Sequence, residues 1–561
     1  MEGVAANEKG LGVVQPTSTT HVIRKAHEVT EAEREAVLDA TEYNAFSFPA
    51  TMLVVDYLSD SGATAMTDTQ WAGVVRGDEA CGGHNGFYAL AHAIRDTFDT
   101  LPAGQTADDG RSARLMAACT ADERSERWWV AQAADVPAAD PHTFVVLGRA
   151  RQTAPNMFLV CQGRCAESLV YTACGRAFAR AGVAKPWVIP SNGFFDTTEA
   201  QAATHGFAPV NLFAPHFHAP FAAERVAEEN PFKGDIDLAR LEALLARDAA
   251  RMPFVLMTVT NNTAAGQPVS MANLRAVARL AHAAGVPVLF DAARFAENAW
   301  FIQQFEEPYR AARTPLRAIV SEMFSYCDVL TMSSKKDGLC NMGGMFCFRH
   351  AGLFEQRFSA LLGSSIGVCL QEIQALRYGD PTHGGVSGRD AYALAAGLRQ
   401  VLLPEYMDAR CLQVRRLAVD MVRAGVRGVV MPPGGHAVYL DMTDFFHGTP
   451  MKIDDFGGVG FCIEMIRLYG IRPCELGPFA FEWDQKTDEQ RKGILNLVRF
   501  AVPRNTYNDE HIAYTVAAVA ELQRHAALIP KVRVARGAEL HLRHFQSGLV
   551  ASYDNGKLGS K

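Results

Sequence analysis

Several signatures are missing from this chain of 561 residues. Its twelve cysteines never fall into a CxxC pair, so neither a zinc site nor a disulfide framework is indicated. Reduced thiols in a cytoplasmic compartment are the expectation. No uninterrupted apolar stretch reaches the roughly 18 residues that suggest a membrane span. The opening MEGVAANEKG carries an early acid and no apolar run, so it does not read as a secretory signal. Basic residues do not dominate: 54 Lys+Arg stand against 61 Asp+Glu, a formal charge of −7. That balance argues against a nucleic-acid-binding surface. Short internal repeats and long low-complexity tracts are absent too.

What is present is core-forming material, 48% hydrophobic against 20% charged residues, too apolar for a disordered chain. Residues 1–50 are mixed and polar and read as an arm or edge element. Residues 103–156 are loop-rich and read as an insertion. From about 157 the pattern becomes α/β. PFVLMTVT (253–260), VPVLFDAAR, CDVLTMSS (327–334) and GGMFCF (343–348) are short apolar runs of buried-strand type. MANLRAVARLAHAAG (271–285) has helical spacing and stops at Gly285. Strands alternating with helices predict a mostly parallel sheet covered on both faces, with ligands at the carboxyl ends of its strands. A helix over 405–428 and a strand over 434–442 then predict a smaller α+β domain. The expected organisation is an arm and part of the small domain over 1–58, a large domain over 59–403 carrying the insertion, and a small domain over 404–561.

Two segments carry chemistry. In VLFDAARF, Asp291 stands where an apolar strand ends, with Arg294 three residues on. Alone, such an aspartate reads as a helix N-cap. In TMSSKKDGLCNMGG, Lys335 and Lys336 follow a strand and a Ser-Ser pair. Alone they read as a solvated charge pair. Together, a lysine and a carboxylate at the mouth of a sheet suit pyridoxal phosphate. That cofactor needs a lysine imine, an anion beside its pyridinium nitrogen and donors for its phosphate.

With CQGRCAES, SNGFFDTTEAQ, NNTAAGQPVSMANLRA, FDAARFAENAWFI, EMFSYCDVLTMSSKKDG, GGHAVYLD and VRFAVPR in order along the chain, the sequence resembles the β-eliminating lyases of aromatic amino acids, tryptophanase and tyrosine phenol-lyase. The resemblance implies a fold-type-I pyridoxal phosphate enzyme of homodimers or homotetramers that breaks down amino acids. It implies that Lys336 holds the cofactor and that Asp291 pairs with the ring nitrogen. Arg294 and Asn262 would flank the ring oxygen, and Phe195 would stack on the ring. Gln162, Gly163, Arg164 and Ser333 would cradle the phosphate. Arg499 would clamp the substrate carboxylate, and Gly62, Glu79 and Asn341 match a monovalent-cation site that takes potassium.

The chain also departs from the family. Cys81 stands in GDEAC where the family keeps the tyrosine that protonates the leaving group. It is either a weaker donor, with a reference pKa of about 8.5 against about 10, or a space filler. Cys161 and Cys165 border the phosphate loop. His383 replaces a tyrosine, either as a titrating group or in packing. Leu476 stands where tyrosine phenol-lyase has a phenol-recognising arginine. Asp196 and His544 match tryptophanase, whereas EMFSY and NMGG look closer to tyrosine phenol-lyase. The leading expectation is a tryptophan indole-lyase giving pyruvate and ammonium. The alternatives are a different leaving group (C–S lyase, phenol-lyase, β-replacement or retro-aldol cleavage) and a non-catalytic relative.

Overall fold

The computed structural model describes residues 19–20, 28–80, 82–99, 143–146, 151, 153–215, 232–380 and 384–559. They fall into two compact units, one drawn from Thr64–Ala219 and Asn230–Asp408, the other from Pro16–Ala63 and Ala409–Lys561. Most of the 103–156 segment lies outside the described residues. No helix among the described residues is long and apolar enough to cross a membrane.

The first unit is built on a sheet of seven strands: β1 (Met157–Val160), β2 (Trp187–Ser191), β3 (Phe207–Asn211), β4 (Val255–Thr258), β5 (Val288–Asp291), β6 (Val329–Ser333) and β7 (Gly344–Phe348). Their order across the sheet is β1-β7-β6-β5-β4-β2-β3. Only β7 runs against its neighbours. The remaining pairs are parallel, so the carboxyl ends of six strands share one edge. The apolar runs foreseen in the sequence are strands because their side chains are buried on both faces, as helix-covered parallel sheets require.

The helices that matter for the site are α1 (Gly163–Arg180), α2 (Asp196–Thr204), α3 (Met271–Ala283) and α4 (Phe295–Phe305). α1 buries Cys165, Ala166, Leu169, Val170, Ala173, Cys174, Ala177 and Phe178 against the sheet. α3 starts where Ser270 Oγ accepts from Asn273 N at 3.1 Å. It stops ahead of Gly285, whose φ of 68° only glycine takes at little cost.

The second unit carries a three-stranded antiparallel sheet of β8 (Ala437–Asp441), β9 (Cys474–Glu475) and β10 (Leu497–Ala501), with β10 in the middle. Where the sequence suggested an arm or edge, residues Glu31–Ala40 form a helix. A capping box between Thr30 and Glu33 starts it. Leu38 packs with Ile463 and Ile466 of the helix Gly457–Tyr469, and Arg34 Nε donates to the Arg467 carbonyl at 2.8 Å. A short polar helix anchored this way shows little apolar periodicity, so its pattern resembled a loose arm.

Candidate active site

Of the residues picked from the sequence, Gln162, Gly163, Phe195, Asp196, Asn262, Asp291, Arg294, Ser333 and Lys336 lie at or just beyond the carboxyl ends of strands of the large sheet. β1 runs directly into α1 through Cys161 and Gln162. Gln162 is the N-cap of α1, yet its side chain makes no capping bond. The positive end of an 18-residue helix is therefore open to an anion. Gly163 lies against the end of β6: a Cβ there would sit 2.9 Å from Ser333 Cβ. Only glycine fits there, so the start of α1 packs directly against the end of β6. Lys335 Nζ reaches Gln162 Oε1 at 3.4 Å. Burial and the neighbouring Arg164 push the Lys335 amine down.

The loops after β2 and β4 are tied to each other. Asn192 Oδ1 accepts from Thr258 N at 2.8 Å, Asn261 Nδ2 donates to the Asn192 carbonyl at 2.8 Å, and Thr263 Oγ1 donates to the Phe194 carbonyl at 2.6 Å. These bonds fix Phe195, half-buried at the head of α2, relative to buried Asn262. Asp196 follows, buried, with Oδ1 accepting from Thr197 N at 2.6 Å. The loop after β5 joins in: Arg294 N donates to the Val259 carbonyl at 3.2 Å.

Asp291 is not a helix cap. It ends β5, and Oδ1 accepts from Ala293 N at 3.2 Å. The cap of α4 comes from Asp337, whose Oδ2 accepts from Ala296 N at 2.8 Å and Glu297 N at 3.3 Å. Asp337 N in turn donates to the Ala293 carbonyl at 3.2 Å. The residue after Lys336 thus clamps the lysine's turn onto the turn that carries Asp291 and Arg294. Nor are Lys335 and Lys336 a solvated pair, since both are half-buried. Asp337 was not picked from the sequence, because the helix it caps starts about 40 residues away.

Electrostatics join the cluster. Burial pushes the Asp291 carboxyl up, opposed by the charges of Lys336 and Arg294 and by the Ala293 N–H. A cation set beside Asp291 would offset that burial. A second buried carboxyl, Glu167, was also missed. It sits one turn into α1, four residues after Gly163, hence on the same face of the helix as Gly163. Its Oε1 accepts from Thr198 Oγ1 at 2.6 Å, which ties α1 to α2. Its Oε2 is buried with no hydrogen-bond partner. Burial and the negative charge of Asp291 raise Glu167 from its ordinary 4.5 to about 7.

The sign of the effect on stability follows. Between pH 4.5 and about 7 the native state holds the Glu167 proton and the unfolded chain releases it, so stability from this group falls as pH rises. In Glu167→Gln that decline is removed. The variant is expected to gain roughly 2–3 kcal/mol relative to the parent between pH 5 and pH 8. Urea unfolding of the cofactor-free protein at the two pH values measures it, and an unchanged difference would contradict it.

The remaining sequence-selected residues are placed as follows. Asn341 Nδ2 donates to the Thr64 carbonyl at 2.9 Å. Glu79 is exposed and pairs with Arg389 Nε at 2.9 Å. Gly62, with φ 75°, belongs to the second unit. So does Arg499, a buried guanidinium in the middle of β10 between Cys474 and Tyr439, with Nη2 donating to the Leu58 carbonyl at 2.8 Å. Leu476 and His544 are buried in that unit. Burial raises Glu475, next to Leu476, to about 7, opposed by the backbone N–H groups of Phe479, Ala480 and Gly477 and by the charge of His544. Cys81 and His383 lie outside the described residues.

A mostly parallel sheet with a lysine, a half-buried aspartate and an open helix start at its carboxyl edge is that of an α/β enzyme of fold type I. The chain belongs to the beta-eliminating lyase family, whose pattern matches residues 56–518. It is 32% identical over 525 residues to the tryptophanase of Salinibacter ruber, covering 93% of this chain and 92% of that one. It is 33% identical over 532 residues to a beta-eliminating lyase of Trichomonas vaginalis, with 93% and 96% covered. To the tyrosine phenol-lyase of Lacrimispora saccharolytica it is 32% identical over 496 residues, with 88% of each covered. Among solved structures it is similar in fold to Bna3p of Saccharomyces cerevisiae, with a TM-score of 0.50, 13% identity, and 90% and 100% of the two chains covered.

Proposed function

We propose that this chain is a pyridoxal-phosphate-dependent lyase that eliminates the β-substituent of an amino acid, tryptophan foremost, to give pyruvate and ammonium. The observation that carries the reading is the charge interaction of Lys336 with Asp291 at the end of β5, on the sheet whose β1 runs into the uncapped start of α1. The residues fit the cofactor's three demands. Lys336 offers the amine and Asp291 a carboxylate in need of a cation. The start of α1 at Gln162 and Gly163, packed against Ser333, offers backbone N–H groups to a phosphate.

When bound, the cofactor supplies an electron sink for charge developing at the substrate Cα. The chain's residues do the rest. Asp291 would keep the ring nitrogen protonated. Arg294 and Asn262 would hold the ring oxygen, and Phe195 would cover the ring face. Lys336 Nζ would hold the cofactor and, when free, would take the Cα proton. Arg499 is assigned the substrate α-carboxylate, a task that suits a planar fork. Potassium at Gly62, Glu79 and Asn341 and assembly into dimers or tetramers belong to the same proposal.

Tryptophan is favoured by Asp196, Leu476 and His544 and by the tryptophanases among the relatives. A second reading, a thiol leaving group, is favoured by Cys81 at the position of the family's tyrosine acid, because a thiolate leaves without protonation at carbon. Purified protein with pyridoxal phosphate and potassium is expected to release indole and pyruvate from tryptophan. Pyruvate from an S-substituted cysteine with none from tryptophan would replace the first reading by the second.

A further inference from the structure

Cys161 and Cys165 stand one helical turn apart where β1 passes into α1. Cys161 is exposed and Cys165 is buried. Their Sγ atoms are 3.4 Å apart. A disulfide needs about 2.05 Å, so side-chain rotation has to close only about 1.4 Å. Lys335 lies within electrostatic range of both sulfurs, and Arg164 of Cys165. Burial and the contact with Cys161 push the Cys165 thiol up to about 12. The two sulfurs are therefore unequal: one is reachable from solvent and the other is held protonated behind it.

We propose that Cys161 and Cys165 are a reversible oxidation site, a dithiol that hydrogen peroxide converts into a disulfide spanning Gln162, Gly163 and Arg164. Cys161 sulfur attacks the peroxide oxygen, the O–O bond breaks, and one water leaves, so that Cys161 becomes a sulfenic acid. Cys165 sulfur then attacks the Cys161 sulfur. Its proton leaves with the displaced hydroxide as the second water, and the S–S bond forms. Two thiols supply two electrons, and one peroxide becomes two waters. A small dithiol reverses the reaction by exchange. The disulfide spans the backbone assigned above to the cofactor's phosphate, so cofactor loading slows its formation. That consequence alone rests on the proposed function.

The test treats the full-length chain with hydrogen peroxide, alkylates free thiols and maps tryptic peptides. Trypsin cuts after Arg151, Arg164 and Arg176, so the disulfide holds peptide 152–164 to peptide 165–176. Fragmentation separates a bond to Cys165 from one to Cys174. The linked pair is expected to appear with loss of both free thiols and to vanish on treatment with dithiothreitol. It is absent from Cys161→Ser, while Cys165→Ser accumulates a dimedone-reactive Cys161. Full alkylation of both thiols after peroxide, or Cys161 oxidised to the sulfinic acid with no linked pair, would overturn the proposal. With pyridoxal phosphate bound, slower linkage is expected. An unchanged rate of linkage would leave the dithiol site standing and remove the phosphate assignment of the loop.

Discussion

Lys336→Ala is expected to lower pyruvate release by about 10⁴-fold or more, since it removes both the group that holds the cofactor and the base at Cα. The absorbance near the visible edge that marks lysine-bound pyridoxal phosphate should disappear with it. Lys335→Ala is the matched control. Lys335 touches Gln162 rather than the Asp291 cluster, so its loss should weaken cofactor retention and leave the band in place at saturating cofactor. A band that survives in Lys336→Ala and vanishes in Lys335→Ala would exchange the roles of the two lysines.

The second large effect is expected at Asp291. Asparagine keeps the shape and the acceptor for Ala293 N but cannot balance a buried cation. Breaking a buried charge pair costs about 3–5 kcal/mol, which corresponds to roughly 10²–10⁴ in rate when it is lost in the transition state. Asp291→Asn should therefore bind pyridoxal phosphate and still release pyruvate hundreds- to thousands-fold more slowly. The loss should fall on kcat, with far less change in KM for the amino acid. A variant within tenfold of the parent would show that Asp291 does not act on the ring nitrogen.

Much of this arrangement was legible in the sequence. The strands over 253–260, 327–334 and 343–348 contain the observed β4, β6 and β7, because buried parallel strands leave uninterrupted apolar runs that few other environments tolerate. Asp291 and Lys336 were legible because each follows such a run, and the carboxyl edge is where a ligand meets the sheet. Asp337 was not. In K-K-D it reads as one charge in a cluster, and its role depends on α4 starting beside it, a contact between segments about 40 residues apart. Glu167 was hidden for a similar reason. Its chemistry comes from burial against Asp291 and Thr198, and no local pattern reports burial of a charge. The helix at Glu31–Ala40 was missed because its partner lies more than 400 residues away. Cys161 and Cys165 were visible as a departure from the family, but only the structure brings their sulfurs into contact.

The central claim is that Lys336 binds the cofactor of a β-eliminating lyase. Borohydride reduction of the pyridoxal-phosphate-loaded protein, followed by peptide mapping, tests it most directly, because reduction fixes the cofactor to the lysine that holds it. The account predicts a single phosphopyridoxyl group on Lys336 and loss of pyruvate release in step with its incorporation. A group on Lys335 or another lysine, or no incorporation at saturating cofactor, would contradict it.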